Sequence, residues 1–335
     1  MGMTRDVMRS SINAFFKGYH AFTTIAAIFI FPASLSVLLS ESLASSSASI
    51  IAALSTRFHY LFKAAGFPEI DFFALLNLKL SQTIFSFSMS LPLTLTFLLL
   101  AKSCVIQIFR DSPRYGKHVV PHFSKFLPIY PSLLSTHIFN TFLFLSSNVT
   151  AFSLLFLLFN GADLFGLKSH ISVLLLSAIG AIVYSVFIAT TTVICNLAII
   201  ISGMENCNGY ISILKACILT RGHITTALAL ALPTSLGMAI MEALFQFRIM
   251  RQYRVSGNFS PAVMWEAFSI TYIHSILMVI EIIASCMFYK RCILLHCSNG
   301  EEELRRNGKN LNQRRRPASL FEIGIEILFC FFFFV

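Results

Sequence analysis

The sequence predicts an all-α, polytopic integral membrane bundle of about six transmembrane helices with short interfacial helices, on three observations. Of 335 residues, 56% are hydrophobic and only 12% charged, with 35 Phe against 15 Gly. That composition excludes a water-soluble globular domain, a disordered regulator, a fibrous protein and a secreted disulfide scaffold. Second, crossing about 30 Å of hydrocarbon takes roughly 20 mostly apolar residues, and six windows with few or no charges meet that length: 21–40, 83–101, 138–159, 179–202, 224–246 and 265–289. Third, Lys and Arg segregate between alternate loops, eighteen on one side and seven on the other. Because positive loops are retained in the cytoplasm, both termini are expected there. The chain divides into a cytoplasmic N-terminus (1–20), a six-span domain (21–289) and a basic cytoplasmic tail with an apolar end (290–335).

The N-terminus carries Arg5, Arg9 and Lys17. Ser42-Leu43-Ala44 has the small residues of a signal-peptidase site, but the apolar run of 20 exceeds the ~7–15 residue core of a signal peptide. The first 19 residues hold a single acid, a composition shared with plastid transit peptides, and Asp6 stands where a myristoylation motif wants Ser or Thr. After the first span, Leu54, Phe58, Leu61, Phe62 and Ala65 share one helical face, flanked by Ser55, Arg57, His59 and Lys63. That pattern predicts a helix lying on the membrane.

The loop 102–125 holds five basic residues and an HxxxH pair, His118 and His122. Pro121 disrupts the helix that would put both rings on one face, and no second histidine box accompanies the pair. The third and fourth spans sit in apolar stretches of over 30 residues (129–160 and 171–202), so their ends are loosely set. Asn148-Val149-Thr150 is a glycosylation sequon inside the third stretch; Asn258-Phe259-Ser260 lies on the expected outer side, next to Pro261. Between spans four and five, Tyr210, Leu214, Cys217, Ile218 and Arg221 follow i, i+4, i+7, i+8 spacing, a second interfacial helix. Pro32, Pro92 and Pro233 fall within spans one, two and five, where they kink or break a membrane helix.

No GxSxG elbow, HExxH or phosphate-binding glycine loop occurs, so no enzyme, cofactor or metal is expected. Eight cysteines are scattered without CxxC pairs. Cys292 and Cys297, just beyond the sixth span, are candidates for palmitoylation. Residues 290–316 hold eight basic side chains against three acidic, including Arg314-Arg315-Arg316, a segment drawn to anionic cytoplasmic lipid. Beyond it, 320–335 ends in four Phe and a Val, too short to span. Membrane lipid is the expected partner, with anionic lipid at the tail and no nucleic acid.

Ionisable groups inside a bilayer are costly and usually face a bundle interior or a wet path. Span four has Ser185, Thr192 and Asn196; span five Ser235, Glu242 and Gln246; span six His274, Glu281 and Ser285. Each triplet is spaced by seven and then four residues, which keeps its members on one helical face. With 1.5 Å of rise per residue, Glu242 falls ~6 Å below the outer interface, His274 ~14 Å and Glu281 ~24 Å, with Asn196 near the level of Glu281. An Asn196–Glu281 hydrogen bond is expected, and no direct Glu242–Glu281 contact. These groups either glue helices together or form a ladder for protons or a cationic solute.

Cys195-Asn196-Leu197 through Ser202-Gly203-Met204-Glu205, then Leu214-Lys215-Ala216-Cys217 and Arg221-Gly222, resembles a family of uncharacterised plant six-span transmembrane proteins. More distantly it is similar to the membrane domain beside some glycerophosphodiester phosphodiesterases. In that pattern a span ends at a Glu, a short interfacial helix follows, and Arg-Gly or Lys-Gly opens the next span. The resemblance implies a fold and membrane residence, and no reaction; no phosphodiesterase catalytic domain is present. The expected function is a non-enzymatic membrane protein organising lipid or partner proteins. The alternative is a small transporter or channel using Glu242, His274, Glu281 and Asn196.

Overall fold

In a medium without water every backbone polar group needs an internal partner, and a helix supplies one along its whole length. The computed structural model describes residues 2–66, 71–115, 128–164, 170–207, 209–256 and 260–307, nearly all of them helical. Among the described residues, six helices are long and apolar enough to cross a membrane: Tyr19–Ser40, Phe73–Arg110, Tyr130–Gly161, Leu174–Glu205, Ile224–Tyr253 and Pro261–Leu295. The chain is an all-α bundle and an integral membrane protein. Large side chains such as Phe142 (65% exposed) and Leu157 (64%) face outward, which water would penalise and lipid does not. The His118/His122 pair, Asn258 and the tail beyond Asn307 lie outside the described residues.

The spans are longer than the charge-poor windows because charges do not end them. The second begins at Phe73 and continues through Lys79 and Lys102 to Arg110. Lys102 therefore belongs to the bundle and not to the following loop. The prolines break no helix: Pro92 and Pro233 lie inside continuous helices. π-helical turns at Ala26–Ile30 and Thr94–Leu98 adjoin Pro32 and Pro92, absorbing the lost amide donor as a local bulge.

The N-terminal segment is a helix, Gly2–Lys17, not a free extension. Its Val7 and Phe15 are buried in the main core, and the Phe15 ring stacks on Phe22 with centroids 6.1 Å apart. Spans one and six meet through small residues, with Ser275 Oγ 3.1 Å from Ser34 Oγ and both side chains fully buried; small polar residues let membrane helices approach closely. Spans three and four form an antiparallel hairpin held by a ladder of hydrogen bonds. Asn140 Nδ2 donates to the Cys195 carbonyl (2.8 Å), Thr191 Oγ1 to Ser147 Oγ (3.2 Å) and the Tyr184 hydroxyl to Asn148 Oδ1 (2.9 Å). The Asn148 sequon is thus built into this hairpin.

Both expected short helices form, Ala48–Ala64 and Tyr210–Thr220. In the first, Leu54, Phe58 and Phe62 turn inward while Leu61 and Ala65 are exposed. The second buries Ser212, Ile213, Leu214, Ala216 and Thr220 and exposes Tyr210 and Ile218. Both pack against neighbouring spans, which rotates their faces from the ones the spacing alone predicts.

Candidate functional site: a polar core and a basic-end clamp

Three spans bring a charged group each way onto one asparagine. Asn196 of span four donates from Nδ2 to Glu281 Oε1 of span six at 3.1 Å. Its Oδ1 lies 3.3 Å from the Lys102 ammonium of span two. The amide orientation is dictated by these neighbours, because a carboxylate accepts and an ammonium only donates. Asn196 is a two-sided bridge between opposite charges, and each charge finds a partner where hydration is denied. A cavity of about 30 Å³ adjoins it, lined among others by Asn196, Thr234, Glu281 and Ser285. That volume suits a single water.

Closer to the other end, His274 Nε2 stands 3.6 Å from Glu242 Oε1. The separation is too long for a hydrogen bond. His274 is only 1% exposed, and among the described residues neither ring nitrogen has a hydrogen-bond partner. The shorter windows had set Glu242 and His274 ~8 Å apart in depth. Measured from Tyr253 and Pro261, the ends of the longer spans, the difference falls to ~3 Å. From His274 to Glu281 the chain climbs two helical turns, and Ser275 between them faces Ser34 of span one.

The triplets hold only in part. Ser235 and Gln246 face outward, and Thr234 is the buried hydroxyl of that stretch. Ser185 and Thr192 return their hydroxyls to the carbonyls of Ala181 and Ile188 in their own helix. Ser285 does line the cavity. Cys292 is buried in the main core (3% exposed), a poor position for an acyl acceptor. Cys297 lies in the last helix, and its side chain is outside the described set.

A second polar cluster closes the end of the bundle that carries the N-terminus. Glu205, the last residue of span four, accepts from the Tyr289 hydroxyl of span six (2.6 Å) and pairs with Lys215 of the short helix. The carboxylate holds the Lys215 ammonium above the ordinary lysine range, through their hydrogen bond. The Cys207 carbonyl is within reach of three hydroxyls, Ser132 at 3.0 Å and Ser202 and Ser212 at 2.9 Å. Lys290 donates to the Phe109 carbonyl at 2.9 Å, with its ammonium 5.2 Å from that ring's centroid. At Gly203 an added Cβ would stand 2.8 Å from Ile106 Cδ1, so any larger residue must push the Ile106 side chain of span two aside. Gly209 has a φ of +44° and presses on the Phe139 ring.

Ser202, Gly203, Glu205 and Lys215 are thus spent on a corner where span four meets spans two, three and six and the short helix. These observations define a six-span helical membrane bundle with a bridged polar core and a clamped end. Residues 1–304 match the model of the domain of unknown function DUF8558, and the chain belongs to that family. No curated protein and no solved structure matches it.

Proposed function

We propose that the chain is a non-enzymatic multi-span membrane protein that organises lipid, and through lipid its protein partners. What supports this reading is where free volume lies. Beside the Lys102–Asn196–Glu281 bridge there is about 30 Å³. A cleft of about 650 Å³ among apolar side chains of spans three, four and five opens instead toward the bilayer. On this reading the polar core is glue, each bond contributing about 1 kcal/mol. Both termini are cytoplasmic, since Lys102 can leave the loop count without overturning the excess of basic residues on that side. The basic tail adds attraction to anionic lipid. Kinship with plant six-span proteins rests on the Cys195–Gly222 stretch, of which Ser202, Glu205 and Lys215 serve the corner.

One observation favours the alternative, a transporter or channel through Glu242, His274, Glu281 and Asn196: His274 is buried without a hydrogen-bond partner, between two carboxylates on its own and the neighbouring span. Proteoliposomes loaded with a pH-sensitive dye decide between them. The expected result is no pH-gradient-driven flux beyond empty vesicles. A flux abolished by Glu281→Gln would replace the lipid reading with the transport one.

A further inference from the structure

The cleft has a direction and a charged mouth. One wall is span four from Ile179 to Ile194, about 22 Å of helix, which is longer than half of the ~30 Å hydrocarbon core and so exceeds the depth of one leaflet's chains. Ile182, Val183 and Val186 are each more than half exposed along it. Leu154, Leu155 and Leu158 of span three and Ile224 and Leu228 of span five complete an apolar trough. At the basic end the trough stops at Thr220, Arg221 and Thr225. Arg221 is exposed, and its guanidinium has no ion-pair partner among the described residues, unlike Lys215 one face away, which Glu205 engages. An acyl-length apolar trough ending on an unpaired guanidinium is complementary to one amphiphile with an anionic head.

We propose that this cleft holds a glycerophospholipid whose anionic headgroup sits on Arg221 and whose acyl chain runs along span four toward Ile179. The assignment rests on the lipid-organising reading and deepens it by naming the head. Guanidinium pairs with phosphate or carboxylate in a forked geometry, and the basic side is where the positive-inside rule meets anionic lipid. The occupant is a bilayer lipid and not free phosphate, because the trough offers its area to a chain.

The test uses the full chain equilibrated in mixed micelles with equal phosphatidylserine and phosphatidylcholine, then stripped of loose lipid. Retained lipid is read by extraction and mass spectrometry, and oligomeric state by light scattering. Parent, Arg221→Ala, Arg221→Lys and Val186→Trp are compared; Arg221 and Val186 are exposed, so no core contact is removed. The expected result is phosphatidylserine enriched about fivefold over phosphatidylcholine in the parent. Arg221→Ala cuts that enrichment to the part the basic tail supplies without lowering total lipid, Arg221→Lys keeps most of it, and Val186→Trp lowers both lipids. Equal retention of the two lipids by the parent, or enrichment undiminished by Arg221→Ala, overturns the headgroup assignment and leaves the lipid reading standing. A parent that retains neither lipid overturns both. A lipid-free dimer that Val186→Trp makes monomeric overturns the assignment by showing the cleft to be a contact between copies of the chain.

Discussion

Asn196 does work that neither charge beside it can do alone. Its amide offers a donor to Glu281 and an acceptor to Lys102, so Asn196→Leu strips both at once. The expected loss is about 1–3 kcal/mol, read as a lower melting temperature in detergent. His274 behaves oppositely. A buried ring without a hydrogen-bond partner gives up no hydrogen bond when replaced, and His274→Leu is expected to be neutral or stabilising in the same melt; a clear loss would mean that its contact with Glu242 holds the spans together. The Asn196–Glu281 bond is legible in the sequence because both residues stand out in apolar windows and helical rise sets their depth. Lys102 is not, since a window search ends at a charge and assigns that charge to a loop. Only its partner Asn196 on span four, bonded in turn to Glu281 of span six, shows that the charge is inside, and a carboxylate without a cation in the same bundle is the signal that points to one. Ser235 and Gln246 show the converse limit: seven-and-four spacing fixes which residues share a face, but not which way that face turns.

At the scale of elements, the corner from Ser202 to Lys215 determines how span four meets spans two, three and six. Gly203→Val would drive a branched side chain into Ile106 and Leu133; the overpacking is expected to cost about 1–3 kcal/mol or more. Limited proteolysis should then find the short helix Tyr210–Thr220 cut first. Lys215 adds a pH dependence of known sign. Its ammonium is held above the ordinary value of 10.5 by Glu205, so the stabilisation is complete below that value and is lost as pH rises through the higher folded pKa. With Lys215 44% exposed, the step is small, about 1 kcal/mol or less, and Lys215→Met is expected to remove it from an alkaline melting series. The short helices are legible from their apolar spacing, yet their exact faces are not, because packing against spans outweighs the pattern. The helix Gly2–Lys17 carries Met and Phe between charges, and its place in the core depends on Phe22 and Phe109, far from it or in a different span.

For the whole molecule, composition and loop charge carry the architecture almost unaided. Six apolar runs become six spans, since hydrocarbon leaves the backbone no other partner. A C-terminal tag is expected to be protected from external protease in sealed cells or right-side-out vesicles, and a tag inserted at 257–259 to be cleaved; the reverse pattern would invert the bundle. What remains is whether its polar core holds the spans together or is maintained for transport at a cost to stability. The direct measurement is a double-mutant cycle in detergent on Lys102→Met and Glu281→Leu. Each single change is expected to destabilise and the pair to lose less than the sum, with a coupling of about 1–3 kcal/mol. Singles as stable as the parent or more so, with no coupling, would contradict this and mark the bridge as machinery for transport.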